Sequence, residues 1–122
     1  MGTFREPIQL ANPKRPKQPV PLEAVVDTGA TYSWVPEDLL KRLGIKAQEV
    51  RPLKIASGKV IRRKLGWALV TVRDKTVPTP VLFGDKGSDP LLGAITLEEL
   101  GFGVDSIHRT LVPATGYLLS LV

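Results

Sequence analysis

The sequence predicts a single all-β domain that carries one or two short helices. Between residues 46 and 83, strand follows strand with only short turns, at Ser57-Gly58 and at residues 73–75. Elsewhere apolar and polar residues alternate in short runs, and this period of two residues is typical of a half-buried strand. Only two segments carry helix start and stop signals, and both are short. A chain of 122 residues fits one domain, which we place at residues 1–122.

The first two predicted strands flank a polar loop. Residues 3–10 form the first strand, and Pro7 predicts a sheet edge because a proline nitrogen cannot donate to a ladder. Residues 12–19 contain three prolines and three basic side chains and are interpreted as a loop. Residues 20–26 alternate so that one face is apolar and carries Val20, Leu22, Ala24 and Val26.

The best-marked helix follows a brief strand predicted at residues 32–35. Pro36 suits its first position, because the N–H that proline lacks has no intrahelical partner there. Acidic side chains come next, basic side chains come near the end, and Gly44 suits a left-handed stop. We therefore expect a short helix that ends just before Gly44.

The segment up to residue 83 continues as strands. Ala68, Val70 and Val72 mark one buried face of a strand. Residues 77–83 contain two prolines, which again indicates a partly exposed edge strand.

A second helix and two terminal strands complete the predicted fold. Thr96 and Glu99 match a capping box at a helix start, and Gly101 matches the helix end. The last strands are expected at residues 108–112 and 117–122. Terminal strands of this kind are available for pairing with another chain.

Composition excludes several kinds of chemistry. The chain contains no cysteine, so disulfides, thiolate metal sites and cysteine nucleophiles are excluded. Its one histidine, His108, cannot form a multi-histidine metal cage. We therefore expect no metal site and no cofactor.

Charge and hydropathy restrict the possible partners. The formal net charge of +5 permits a nucleic-acid partner, but the basic residues cluster at residues 14–17 and 62–64 with few aromatic side chains to stack on bases. We interpret these clusters as solvated, and we do not expect nucleic acid as the partner. The chain has no apolar signal region, and no apolar run approaches the ~20 residues that span a bilayer. We expect a soluble, cytoplasmic protein with no membrane partner.

One carboxylate stands at the end of an apolar strand. Val25 and Val26 lead directly into Asp27-Thr28-Gly29, where Asp27 leaves water without a basic neighbour in sequence and Gly29 permits a tight bend. This placement indicates a functional site. The alternative is an ordinary hairpin or Asx turn, since Asp and Gly are common in turns. A second apolar run that ends in glycine, Leu91-Leu92-Gly93, favours the functional interpretation.

With these two motifs in this order, the chain resembles the retropepsin-like aspartic proteases. Asp27-Thr28-Gly29-Ala30 matches the catalytic motif of that family, and Leu91-Leu92-Gly93 matches its hydrophobic-hydrophobic-glycine element. The chain looks most like the small prokaryotic single-domain members. Those members end the second helix with Leu-Gly followed by Val-Asp, here Leu100-Gly101 and Val104-Asp105.

The resemblance implies a closed β-barrel or sandwich that acts as a homodimer. Asp27 would be the catalytic residue, and the second carboxylate would come from another copy of the chain, because one chain carries one such motif. The support of the active-site loop would come from Thr28, Gly29 and Ala30. The substrate would contact Gly29, Ala30, Thr31, Ala56, Ser57 and Gly58. The last three belong to a hairpin over residues 53–61, which is a flap by resemblance and a plain surface hairpin in the alternative interpretation.

The implied function is that of an aspartic endopeptidase acting on a peptide or protein substrate. A water would be activated between two Asp27 carboxylates, one from each subunit. The alternative is a non-catalytic module of the same fold that binds peptide or nucleic acid, or that only dimerises. Viral members commonly have an acidic residue where Thr31 stands and an arginine where Ala94 stands, and this chain has neither.

Overall fold

The computed structural model describes residues 3–114. These residues form nine strands and two short helices. In chain order the strands are β1 (Phe4–Ala11), β2 (Val20–Val26), β3 (Ser33–Pro36), β4 (Glu49–Lys54), β5 (Val60–Val72), β6 (Lys75–Gly84), β7 (Leu91–Leu92), β8 (Phe102–Asp105) and β9 (Thr110–Pro113). The helices are α1 (Glu37–Arg42) and α2 (Ala94–Leu100).

Six strands close into a barrel. The main sheet runs in the order β1-β2-β7-β3-β6-β5-β4, and a further pairing of β1 with β5 joins residues 9–11 to residues 69–71. This pairing closes the ring and leaves β4 outside it, paired with β5 in a long hairpin. The prediction of an all-β closed barrel or sandwich with one or two short helices is therefore confirmed, and the structure is the barrel with two helices.

The barrel encloses an apolar core because the inward positions of its strands are aliphatic. The predicted face of β5 is buried, as are the last inward positions of β2. The core cluster contains Ile8, Leu10, Ala24, Val26, Val35, Leu40, Ile45, Ala68, Val70, Val72, Val81, Phe83, Leu92, Leu97, Leu100, Phe102 and Leu111. Both helices contribute to it, so each helix packs against the barrel through its apolar side.

Two strands that were predicted at sheet edges are part of the barrel wall, with a neighbouring strand on each side. β1 pairs with both β2 and β5, and β6 pairs with both β5 and β3. The prolines nevertheless lie where pairing is one-sided: Pro7 precedes the segment that pairs with β5, and Pro78 and Pro80 precede the segment that pairs with β3. A proline is tolerated there because no second strand needs its N–H. The edge prediction was wrong for the whole strands and holds only for their proline-containing halves.

The first helix differs from its prediction by one residue at its start. Pro36 is the residue before α1 and keeps an extended conformation, with ψ at 135°, so the helix begins at Glu37. Gly44 has a φ of 74°, the left-handed conformation expected of the stop.

The capping box predicted for the second helix is wrong. α2 begins at Ala94 after Gly93, so Thr96 lies inside the helix and no side chain caps its start. The Thr96 hydroxyl is fully buried and bonds to Ser33 and Thr79 instead. Gly101 ends the helix as predicted, with a φ of 77°.

A small second sheet follows α2. β9 overlaps the strand predicted at residues 108–112, and it pairs with β8, which the sequence reading missed. The turn between them is held by Asp105, whose carboxylate accepts the N–H groups of Ile107 and His108 and contacts the His108 ring at 2.7 Å. The strand predicted at residues 117–122 lies outside the described residues.

Candidate active site

The carboxylate of Asp27 stands where β2 ends against β7. These two strands are parallel, with Val26 opposite Leu92. The N–H of Val25 donates to Pro90 O at 2.8 Å, and the N–H of Asp27 donates to Leu92 O at 3.0 Å. The Leu-Leu-Gly run therefore holds the backbone of Asp27 directly, which joins the two motifs that the sequence keeps far apart.

The turn after Asp27 is closed by the carboxylate itself. Gly29 N–H donates to Asp27 Oδ1 at 2.9 Å, and Ala30 N–H donates to the Asp27 carbonyl at 3.3 Å. A Cβ at residue 29 would lie 3.1 Å from Oδ1, so glycine leaves room for the carboxylate to fold back. Asp27 and Ala30 are half-buried, whereas Thr28 and Gly29 are exposed. One carboxylate oxygen is thus fixed by the turn.

The second loop packs against the first without space for a side chain. A Cβ at Gly93 would lie 2.5 Å from the carbonyl of Tyr32 and 2.9 Å from Ala30 O. The start of α2 is tied to the same loop, since Ala94 N–H donates to Ala30 O at 2.7 Å and Ile95 N–H donates to Thr31 O at 3.1 Å. Glycine is required at residue 93 because the opposing atoms are backbone.

A cleft of about 570 Å³ lies between this loop and the β4–β5 hairpin. Its walls are mostly apolar, and it is open to solvent on one side. The lining residues are Gly29, Ala30, Thr31, Tyr32, Trp34, Pro52, Leu53, Lys54, Ile55, Ile61, Leu82, Asp89 and Leu91. An extended peptide could lie in a cleft of this size with its side chains against the apolar walls.

The predicted substrate contacts divide into two groups. Gly29, Ala30 and Thr31 line the cleft. Ala56, Ser57 and Gly58 form the exposed tip of the hairpin, where Gly58 has a φ of 87°, and they do not belong to the lining. The hairpin stands where a flap was expected, but substrate contact by its tip stays a prediction.

Five residues of the cleft wall were not named from the sequence, namely Tyr32, Trp34, Pro52, Leu82 and Asp89. Tyr32 and Trp34 line the cleft and alternate along the strand with the buried Ser33 and Val35. This alternation could have predicted from the sequence that Tyr32 and Trp34 share the face opposite to the core. Pro52, Leu82 and Asp89 carried no such signal, because their approach to the loop depends on barrel closure.

Arg51 connects the hairpin to the active-site loop. Its guanidinium bonds to the Tyr32 hydroxyl and stands 5.7 Å from the centre of the Tyr32 ring. Arg51 also pairs with Glu49, and the hydrogen bond between them raises the pKa of the guanidinium and lowers the pKa of the carboxyl. The hairpin is therefore anchored near its base, below the tip.

A second cavity of about 300 Å³ reaches Asp27 from the other side. Asp27 contributes the only carboxylate to its lining, which is otherwise formed by Thr3, Phe4, Val26, Thr28, Gly29, Val104 and Ser106. In the cleft on the first side, the carboxylate of Asp89 is paired with Arg5 at 3.1 Å. Within residues 3–114, the carboxylate of Asp89 is thus the only other one in the two cavities that flank the Asp27 loop, and it is held by Arg5.

The described part of the chain contains neither a metal-holding cluster nor a membrane-spanning helix. Residues 3–114 contain no group of three or more His, Asp or Glu side chains placed to hold a metal ion. No helix among them is long and apolar enough to cross a membrane.

Comparison with known proteins identifies both the family and the fold. A family model described as aspartyl protease matches residues 17–95, which include the Asp27 turn, the hairpin and the Leu-Leu-Gly run. No curated protein matches the chain.

Solved structures with this fold include two retroviral proteases and a retroviral protease-like domain. The EIAV protease in complex with the inhibitor HBY-793 matches with a TM-score of 0.61 and 17% identity, over 82% of this chain and 89% of its own. The retroviral protease-like domain of Ddi1 from Leishmania major matches with a TM-score of 0.59 and 18% identity, over 93% and 89%. The simian foamy virus (mac) protease matches with a TM-score of 0.54 and 21% identity, over 78% and 94%. These likenesses confirm the retropepsin-like fold.

Proposed function

Since the chain belongs to the aspartyl protease family, we propose that it is an aspartic endopeptidase that works as a homodimer. The observation that carries this proposal is the position of Asp27, half-buried in a closed turn beside a mostly apolar cleft. The only other carboxylate in the two flanking cavities of the described residues, that of Asp89, is paired with Arg5. A second copy of the chain would supply the missing carboxylate through a two-fold axis.

In this proposal the two Asp27 carboxylates share one water between them. The ionised carboxylate removes a proton from the water as the oxygen attacks the scissile carbonyl carbon, and the protonated carboxyl gives its proton to the carbonyl oxygen. The carboxyl that took the water proton then gives it to the nitrogen as the C–N bond of the tetrahedral intermediate breaks. The other carboxylate takes a proton back from a hydroxyl of the intermediate, so the pair again shares one proton. Two carboxyl groups in contact share one proton because both cannot ionise so close together.

The proposed substrate is an extended peptide with apolar side chains next to the cleaved bond. The cleft supports this through Trp34, Leu82 and Leu91 on the barrel side and Leu53 and Ile61 on the hairpin side. Gly29 and Ala30 would face the peptide backbone, and Thr28 would brace the two loops across the two-fold axis. The hairpin would close over the bound peptide and exclude water.

The second candidate function is peptide binding without hydrolysis. It is favoured by one feature: the cleft is formed within a single chain, whereas the carboxylate pair is not. A monomer could therefore bind an extended peptide and leave it intact.

A peptide-library digest distinguishes the two functions. The wild type and an Asp27→Asn variant are incubated with the library from acidic to neutral pH, with and without pepstatin, and the products are read by mass spectrometry. The protease proposal expects cleavage that is lost in Asp27→Asn and blocked by pepstatin. Equal cleavage by both proteins, or none by the wild type, would contradict it, and peptide binding by the uncleaving protein would support the second function.

A further inference from the structure

Three hydroxyl groups are buried in the core next to the active-site loops. Ser33 on β3 is 2% exposed, and Thr79 on β6 and Thr96 on α2 are fully buried. They are the only polar side chains buried in the core within residues 3–114. Burying an unpaired hydroxyl is unfavourable, so their positions need a partner for each.

The three hydroxyls form one continuous row. Ser33 Oγ lies 2.5 Å from Thr96 Oγ1, and Thr96 Oγ1 lies 2.8 Å from Thr79 Oγ1. At one end, Gly93 N–H donates to Ser33 Oγ at 3.1 Å. At the other end, Thr79 Oγ1 donates to Glu99 Oε1 at 2.8 Å, and Glu99 is exposed on α2.

The direction of every bond in this row follows from the two ends. Each hydroxyl has one proton to donate, and an ionised carboxylate only accepts. Thr79 gives its proton to Glu99, so Thr96 must donate to Thr79, and Ser33 must donate to Thr96. Ser33 then has lone pairs left for the Gly93 N–H. The row is therefore directed from Gly93 to Glu99.

The same peptide group that starts this row also holds the catalytic candidate. The Leu92–Gly93 peptide donates through its N–H to Ser33 and accepts the Asp27 N–H through the Leu92 oxygen at 3.0 Å. Bonds in a directed chain polarise one another, and a bond to a charged acceptor is stronger than a neutral one. The orientation of this peptide plane thus depends on both ends of the chain.

We propose that the directed hydrogen-bond chain Gly93–Ser33–Thr96–Thr79–Glu99 positions the Leu92–Gly93 peptide and, through it, Asp27. Glu99 is then a positioning residue, although it lies on the surface at the far end of the row. The part of this inference that concerns catalysis rests on the proposed function. The part that concerns the backbone does not.

The first test compares Glu99→Ala with Glu98→Ala in the full chain by NMR. Glu98 is the matched control because it is also exposed on α2, while no hydrogen bond of its side chain is found among the described residues. The Gly93 and Asp27 amide protons should shift and exchange faster with solvent in Glu99→Ala and stay unchanged in Glu98→Ala. Unchanged Gly93 and Asp27 signals in Glu99→Ala would overturn the inference.

The second test uses conservative replacement in the buried row. Thr79→Val keeps the shape but removes the link, whereas Thr79→Ser keeps the hydroxyl. With the best peptide from the library, Thr79→Val should lower kcat by about tenfold or more at unchanged KM, because the carboxylate is misplaced while the cleft wall is intact. Thr79→Ser should restore kcat to within about twofold.

The two proposals can fail separately. Full kcat in Thr79→Val, or a loss that Thr79→Ser does not restore, would overturn the positioning role. A wild type that cleaves no peptide would refute the protease proposal. The Gly93 amide signals in Glu99→Ala and Glu98→Ala would still test whether the hydrogen-bond chain positions the Leu92–Gly93 peptide.

Discussion

Gly84 lies so close to Trp34 that a Cβ at residue 84 would stand 2.1 Å from the indole Nε1. The indole cannot move away freely. Its Nε1–H donates to Ser88 Oγ at 2.9 Å, and the guanidinium of Arg63 lies over the ring at 5.6 Å. Arg63 also pairs with Asp85 at 3.4 Å. Because Trp34 lines the cleft, the absence of a side chain at residue 84 fixes part of the cleft wall.

We expect Gly84→Ala to destabilise the fold by about 1–3 kcal/mol, because the new methyl group forces the indole out of its place. The same shift should weaken peptide binding in the cleft. Gly103→Ala is the control, since a Cβ there would meet Ala114 Cβ at an ordinary 3.5 Å. Urea unfolding measures the free energies, and equal losses in both variants would refute this account. Trp34 fluorescence in a Trp67→Phe background would report the displaced indole.

Gly93→Ala should affect activity more severely than Gly84→Ala. The atoms that oppose a Cβ at residue 93 are the backbone of Tyr32 and Ala30, so no side chain can rotate away. The two motif loops must then separate, which moves Asp27. We expect kcat to fall by about a hundredfold for a displacement of about 1 Å. Steady-state kinetics on the best library peptide would measure this, and a Gly93→Ala enzyme with near wild-type kcat would show that the contact is unimportant.

Mixing wild type with Asp27→Asn chains tests the shared active site. If each subunit gives one carboxylate, heterodimers are inactive, and excess variant should lower activity per wild-type chain once subunits have exchanged. Dilution of the wild type to concentrations below the dimer dissociation constant should also lower the activity per chain. A separate variant, Thr28→Val, tests the proposed brace between the two loops; it should weaken the dimer, as analytical sedimentation would measure. Activity that follows wild-type concentration alone, with exchange verified, would mean that Asp27 has another partner.

The turn between β8 and β9 should be sensitive to acid. The hydrogen bond with the His108 side chain, followed by that from the His108 N–H, lowers the pKa of Asp105 below its ordinary 3.8. The ionised carboxylate therefore stabilises the fold above pH 3.8, and this contribution is lost as the pH falls through the lowered pKa.

Asp105→Asn tests this pH dependence. It should have a lower melting temperature than the wild type at pH 6, and the difference should vanish in strong acid. Asp74→Asn is the control, since Asp74 is exposed in the β5–β6 turn and forms no ion pair with other described residues. A gap between wild type and Asp105→Asn that is constant with pH would contradict the prediction.

Local sequence signals predicted the structure correctly where the conformation of a segment depends mainly on residues adjacent in sequence. Gly44 and Gly101 end their helices with positive φ, and the turn at Ser57-Gly58 separates β4 from β5. Side-chain period alone predicted the buried face of β5. The same kind of reasoning failed at Thr96, because a threonine three residues before a glutamate matched the pattern of a helix cap. In the folded chain, the Thr96 hydroxyl instead forms hydrogen bonds with two buried hydroxyls, one on β3 and one on β6.

By itself, the sequence determined the all-β class, the two helix ends and the carboxylate of Asp27 in a tight turn, because these depend on neighbours along the chain. The tertiary structure alone decided which strands have a neighbour on both sides in the barrel wall and which side chains line the cleft. It also decided which groups form hydrogen bonds with the Thr96 hydroxyl. Those features depend on closure of β1 onto β5 and on the parallel contact of β2 with β7, which join residues distant in sequence. A local pattern carries no information on such contacts, since the free energy that selects them comes from burial shared by the whole barrel.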